Sequence, residues 1–199
     1  MTVVRRTQQQ RRQATRATLL TAALDQLLAS GLAGFTTTEV CRRAGLSQGA
    51  LFKHFATKAD LLGAVAEHLF DVLRADYERR FRALGSPTRT LSAALDLLWR
   101  QMLDERLAAA FELYTAARTD AELRSALQPV VAAHVARIYE LGARLLPEVE
   151  PERLRGAVEL TILAMQGLVL QSMALRDPDQ QRRLHDLMDQ LAHVMIGEA

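Results

Sequence analysis

The 199-residue chain is long enough for one or two domains with a sizeable core. Ala, Leu, Arg, Glu and Gln dominate, aromatics make up only 5%, and Val and Ile are sparse, which argues against a sheet protein and predicts a soluble all-α one. The net charge of +2 conceals a split: residues 1–60 hold nine Lys/Arg against Asp25, Glu39 and Asp60, and residues 61–199 hold 16 Arg against 20 acids, so a nucleic-acid-binding head on a separate acidic body is expected.

Residues 1–12, with Arg5, Arg6, Arg11 and Arg12 among glutamines, read as a flexible basic arm, and their lack of an apolar stretch predicts no signal peptide. A first helix is expected over about 13–30. Leu20, Ala23, Leu24, Leu27 and Leu28 form its apolar stripe, and Gly31 stops it. A second helix starts after Thr36 or Thr37, where Thr36-x-x-Glu39 has capping-box spacing. Cys41 lies in this helix. As the only cysteine it excludes an intrachain disulfide and suits a cytosolic setting, and its small size predicts a packing role where two helices pass closely.

Gly45 allows a sharp turn, Ser47 caps a third helix over 48–54, and Val40, Ala44, Leu46, Leu51 and Phe55 are expected to face inward and hold the second and third helices against the first. Thr57 caps a fourth helix to about residue 83, with Leu61, Leu62, Val65, Leu69, Phe70, Leu73 and Tyr77 on its inner side. Gly85-Ser86-Pro87 is the clearest break and sets the expected boundary between head and body. About five further helices are predicted, over 88–103, 105–118, 120–146, 151–175 and 178–196, making about nine in all. Pro129 is expected to kink or split the third of these. The most apolar stretch, 160–175, is interrupted by Gln166 and Gln171; it reads as a buried helix rather than a membrane span.

The chemistry concentrates in residues 36–58, where both lysines of the chain, Lys53 and Lys58, fall. Two short helices around a tight turn form a helix-turn-helix, whose second helix can enter the DNA major groove if its N-terminal end is armed and small. Ser47, Gln48, Gly49 and Ala50 form that end. Gln48 is its one long side chain that both donates and accepts, hence the expected base reader. Phe52, Lys53 and His54 lie one turn on, where phosphates flank the groove. Lys58, in the first turn of the next helix, suits a phosphate clamp. No second His or Cys stands at ligand spacing from His54, so no metal is expected.

Gly31-x-x-x-Phe35-Thr36-Thr37 and Ala44-Gly45-Leu46-Ser47-x-Gly49-x-Leu51-Phe52-x-His54-Phe55-x-x-Lys58-x-x-Leu61-Leu62 closely resemble the tetracycline-repressor (TetR) family of transcriptional regulators, over about residues 15–65. The resemblance implies a three-helix DNA-binding head within 13–60, a connecting helix over 61–84, and a helical ligand-binding and dimerisation body over 85–199. It further implies that Thr37, Phe52, His54 and Lys58 contact phosphate, while Thr38 and Gln48 reach bases. Two positions depart from the family pattern. Phe52 replaces the usual Tyr and lacks its hydroxyl, a loss that Lys53 or the N-terminal arginines would offset. Cys41 replaces Ala and keeps the position small.

In the body, Trp99, Met102, Leu103, Phe111, Tyr114, Met165 and Leu168 are candidates for lining an effector cavity. His134, Tyr139, Gln166 and Tyr114 are its candidate polar groups. Such a lining suits a hydrophobic or amphipathic small molecule. Leu160, Leu163, Ala164, Gly167, Leu168 and Leu170 on the helix at 151–175, with Leu184, Leu187, Leu191 and Met195 on the last, are the expected homodimer faces. A two-fold dimer predicts a near-palindromic double-stranded operator. The expected function is a cytoplasmic DNA-binding repressor released by effector, with no cofactor and no membrane partner. The alternatives are an activator, or a regulator governed by a partner protein or by abundance. No Glu-x-x-His pair, Gly-rich phosphate loop or nucleophile elbow is present, which argues against an enzyme.

Overall fold

A computed structural model describes residues 7–85 and 90–196. Among them are nine helices and no strand: α1 (Gln8–Ser30), α2 (Thr37–Ala44), α3 (Gln48–Phe52), α4 (Lys58–Ala83), α5 (Leu91–Met102), α6 (Glu105–Ala117), α7 (Ala121–Leu145), α8 (Pro151–Ala174) and α9 (Pro178–Ile196). The chain divides into two compact units. One comprises the residues up to Leu69 with Glu112–Val130, and the other Phe70–Phe111 with the residues from Val131 on. The division runs through α4, α6 and α7; Ser86 and Pro87 of the expected break lie outside the described residues.

In the first unit, α1 starts earlier than its apolar stripe suggests. Thr7 and Gln10 form a reciprocal capping box, Gln10 N–H donating to Thr7 Oγ1 at 3.2 Å and Thr7 N–H to Gln10 Oε1 at 2.8 Å. Residues 8–12, expected in a flexible arm, are therefore helical; the rest of that expected arm, residues 1–6, lies outside the described residues. The α1 stripe buries Leu19, Leu20, Ala23, Leu24 and Leu27, while Leu28 is exposed. Its stop at Gly31 uses φ 63° and ψ 179°, a backbone region open to glycine alone.

Thr36, Ser47 and Thr57 each accept a backbone N–H at the start of α2, α3 and α4. The expected capping box of α2 is only half made, because the Glu39 carboxylate pairs with Arg42 and Arg43 instead of turning back. The reciprocal box occurs at α4, where Thr57 N–H donates to Asp60 Oδ2 at 3.1 Å. Gly45 takes the left-handed conformation, φ 65° and ψ 31°, that turns α2 into α3. Val40, Leu51 and Phe55 are buried as expected, while Ala44 and Leu46 are only partly so. Gly63 of α4 lets the α7 backbone approach, since a Cβ there would stand 3.1 Å from Ala126 O. Across the unit, the Glu112 carboxylate of α6 accepts the Leu32 N–H at 2.6 Å just beyond α1.

In the second unit, α8 packs on α9, and α5 on both. Trp99, Met165 and Leu168 form a core with Leu98, Met102, Leu184 and Met188 against it. Tyr77 of α4 is buried and donates to Ala94 O of α5 at 3.2 Å; burial pushes its phenol up to about 12. Pro129 does not split α7, which runs unbroken from Ala121 to Leu145. The reading of α8 as a buried helix is overturned. The helix is long and apolar enough to cross a membrane by length and composition, yet only 22% of its apolar window is buried. Its apolar residues are divided between the core and an exposed face.

Candidate nucleic-acid interface

Three N-caps and one left-handed glycine hold the module, and its functional groups stand on the surface they create. Gln48 begins α3, and its Nε2–H donates to Thr38 Oγ1 at 2.7 Å, so the two expected base readers meet on one exposed lip between α2 and α3. Gly49 is exposed, and a Cβ there would meet only Ser47 Oγ at 3.9 Å. Nothing among the described residues of the head requires glycine at that point.

Phe52 is 46% exposed at the end of α3, and Lys53 forms the C-cap there. The helix is thus shorter than the expected 48–54, and His54 lies just past it. Burial, then the nearby charges of Arg12 and Arg16, lower the His54 pKa from its usual value and so favour the neutral ring. Arg16 also places its guanidinium 5.3 Å from the centroid of the Phe55 ring. Lys58 is engaged inside the head: its Nζ donates to Phe35 O at 2.9 Å and lies 5.5 Å from the Phe35 ring centroid. Two of its three N–H donors are left for another acceptor. Thr37 is partly buried at the first position of α2. Cys41 is 5% exposed and burial raises its thiol pKa, as suits packing rather than thiolate chemistry.

Sequence reasoning missed the nearness of Arg12 and Arg16 to His54. The signal was present in Thr7-x-x-Gln10, which starts α1 early enough to put both arginines on one helical face.

The candidate effector residues are scattered. Trp99, Met102 and Met165 are brought together around one core, with Gln166 partly buried beside Met165 in sequence. Phe111 is buried at the end of that unit's share of α6. Tyr114 belongs to the first unit, where burial pushes its phenol up to about 12. Leu103 is 41% exposed at the C-cap of α5 and so lines no core. His134 stacks on Phe70 of α4, with ring centroids 4.0 Å apart and planes 12° from parallel. Tyr139 donates to Glu159 at 2.7 Å with the Arg155 guanidinium over its ring, a surface arrangement. An open groove of about 320 Å³ lies elsewhere, between the C-terminal parts of α4 and α7, lined by Tyr77, Glu78, Phe81, Arg82, Leu141, Arg144 and Leu145. None of the expected effector residues lines it. Among the described residues no cluster suited to a metal ion occurs.

A capped helix-turn-helix with a polar, exposed leading end, carried by an all-helical chain, defines a DNA-binding regulator. The family model described as "Bacterial regulatory proteins, tetR family" matches residues 19–65. An uncharacterised HTH-type transcriptional regulator of Mycobacterium bovis is 38% identical over 148 residues, 73% of this chain and 74% of its own length. The HTH-type transcriptional regulator CymR of Pseudomonas putida is 29% identical over 188 residues, 94% of this chain and 93% of its own. A solved transcriptional regulator from Rhodococcus sp. Rha1 superposes with a TM-score of 0.69 at 24% identity, covering 90% of this chain and 96% of that one. The multidrug binding protein EbrR, solved with ethidium, has a TM-score of 0.66 at 24% identity over 89% of this chain and 98% of that one. The chain belongs to the tetR family of bacterial transcriptional regulators. It is a DNA-binding regulator and not an enzyme.

Proposed function

We propose that the regulator is a homodimeric repressor, bound to a near-palindromic operator and released when a small hydrophobic or amphipathic molecule enters its C-terminal body. In this reading Gln48 and Thr38 read bases, with Ser47 and Gly49 allowing the close approach. Thr37, Lys53, His54 and Lys58 hold phosphates, and Phe52 packs against the backbone sugars in place of a hydroxyl contact. Its place of work is the cytoplasm.

The observation that carries the dimer is the outer surface of α8 and α9. Leu160, Leu163, Leu170 and Met173 are exposed on α8, as are Leu187, Leu191 and Val194 on α9. So much apolar surface on two neighbouring helices supports an interaction site there. Gly167 lies on α8 with nothing within 4 Å of where its Cβ would be, leaving room for a partner helix to come close. Leu168 and Leu184, expected on this face, instead pack in the Trp99 core. The effector reading draws support from EbrR, a structural neighbour solved with ethidium.

A ligand releases DNA only if it binds the DNA-free arrangement more tightly than the bound one. A thermal-shift screen of apolar and amphipathic compounds tests this. A ligand present at a hundred times its Kd should stabilise the protein by about 2.7 kcal/mol and raise its Tm. The same compound should also displace the protein from DNA. Compounds that raise the Tm but leave DNA binding intact would contradict release by effector.

A further inference from the structure

The N-terminal half of α1 carries Arg12 and Arg16, four residues apart and so on one face of the helix. Arg16 lies over Phe55, and the Phe55 ring centroid is 6.3 Å from that of His54, immediately after α3. Both arginines bear electrostatically on His54. That face of α1 therefore adjoins the end of the reading helix, on the rim that holds Lys53 and the exposed Phe52.

Arg42 and Arg43 of α2 are paired within the head, sharing the Glu39 carboxylate. Among the described residues Arg12 and Arg16 have no carboxylate within ion-pair distance, and the first turn of α1 contains no acidic residue. Both side chains are exposed beside the end of α3 and open to a polyanion.

We propose that Arg12 and Arg16 of α1 form a phosphate rail beside the helix-turn-helix, gripping the DNA backbone next to the groove that α3 enters. The rail supplies charge where Phe52 offers no hydroxyl. It adds affinity and salt dependence without reading sequence, because guanidinium groups on phosphates carry no base information. The proposal rests on the helix-turn-helix facing duplex DNA.

The test measures binding of the full chain to a short random-sequence duplex across a salt titration, for wild type, Arg12→Gln, Arg16→Gln, Arg16→Lys and Arg11→Gln. Arg11 sits on the same helix about 100° away and controls for bulk charge. Arg12→Gln and Arg16→Gln should each reduce the salt slope by about 0.9 for each phosphate no longer neutralised, which is roughly eightfold in affinity per phosphate at about 0.1 M salt. Arg16→Lys should retain most binding, and Arg11→Gln should match wild type. Melting temperatures distinguish weaker phosphate binding from weaker packing on Phe55, and Arg12→Gln carries the test without involving any ring. An unchanged slope for both glutamine variants would overturn the rail, as would an equal reduction in Arg11→Gln. If wild type itself showed no salt-dependent binding, the DNA-facing reading would fail with it.

Discussion

Gln48 and Thr38 hydrogen-bond to each other, and that bond shapes how each can act on DNA. With Nε2 donating to Thr38 Oγ1, the Gln48 amide is held in one orientation, leaving its carbonyl oxygen and second N–H for a base edge. Gln48→Ala should cost about 1–3 kcal/mol of discrimination between operator and mismatched duplex. Non-specific binding should be nearly unchanged. Thr38→Val should reproduce part of this effect, and the double variant should lose less than the sum, because the two side chains act as one unit. Strict additivity in competition binding would contradict the pairing. The two positive-φ glycines among the described residues make a second comparison. Gly31 sits at φ 63° and ψ 179°, and a Cβ there would stand 3.0 Å from Glu112 Oε2; Gly45 is left-handed with open space around it. Gly31→Ala should therefore cost about 1–3 kcal/mol and Gly45→Ala about 1–2 kcal/mol. Denaturant melts should rank them in that order, and the reverse order would contradict the Glu112 contact.

Helix by helix, the signals that act over three or four residues were legible. Thr36, Ser47 and Thr57 cap the helices they were expected to cap, and Gly45 turns the chain between α2 and α3. The start of α1 was missed because a polar Gln/Arg run shows no apolar period, although Thr7 and Gln10 encode the cap. What depends on distant partners was hidden: the Leu32 N–H on Glu112, the Lys58 ammonium on Phe35 O, and the exposed side of α8. Apolar composition reports that a residue avoids water, not whether its own chain or another covers it. His134 on α7 shows how such a partner sets a pH dependence. Packed on Phe70, its pKa is lowered to about 4, first by burial and then by Arg74 and Arg137, with Asp71 opposing. The unfolded histidine titrates near 6.5, so between about pH 6.5 and 4 the unfolded state binds more protons. Stability should be fully present above about pH 6.5 and fall as the pH drops toward 4. His134→Phe should flatten that part of a Tm-against-pH curve, and an unchanged slope would show that the ring is not buried against Phe70.

At the scale of the whole chain, the excess of positive charge falls in residues 1–60, which hold the helix-turn-helix and α1, while most of the exposed large apolar residues fall on α8 and α9. In the proposed reading the first arrangement meets DNA, and the second joins two copies so that both reading helices act on one operator. Leu163→Glu, a charge at a residue 66% exposed, should leave the fold intact while producing monomers in sedimentation. Its operator affinity should fall sharply, since one head alone grips only half the operator. The most direct measurement is selection of bound duplexes from a random DNA pool by the wild-type protein. A two-fold dimer with Gln48 at each reading end predicts a near-palindrome with half-sites about one helical turn apart, roughly 10 bp or a multiple of it. Enrichment of a single unrepeated half-site, or of no sequence, would contradict the dimeric operator-reading account.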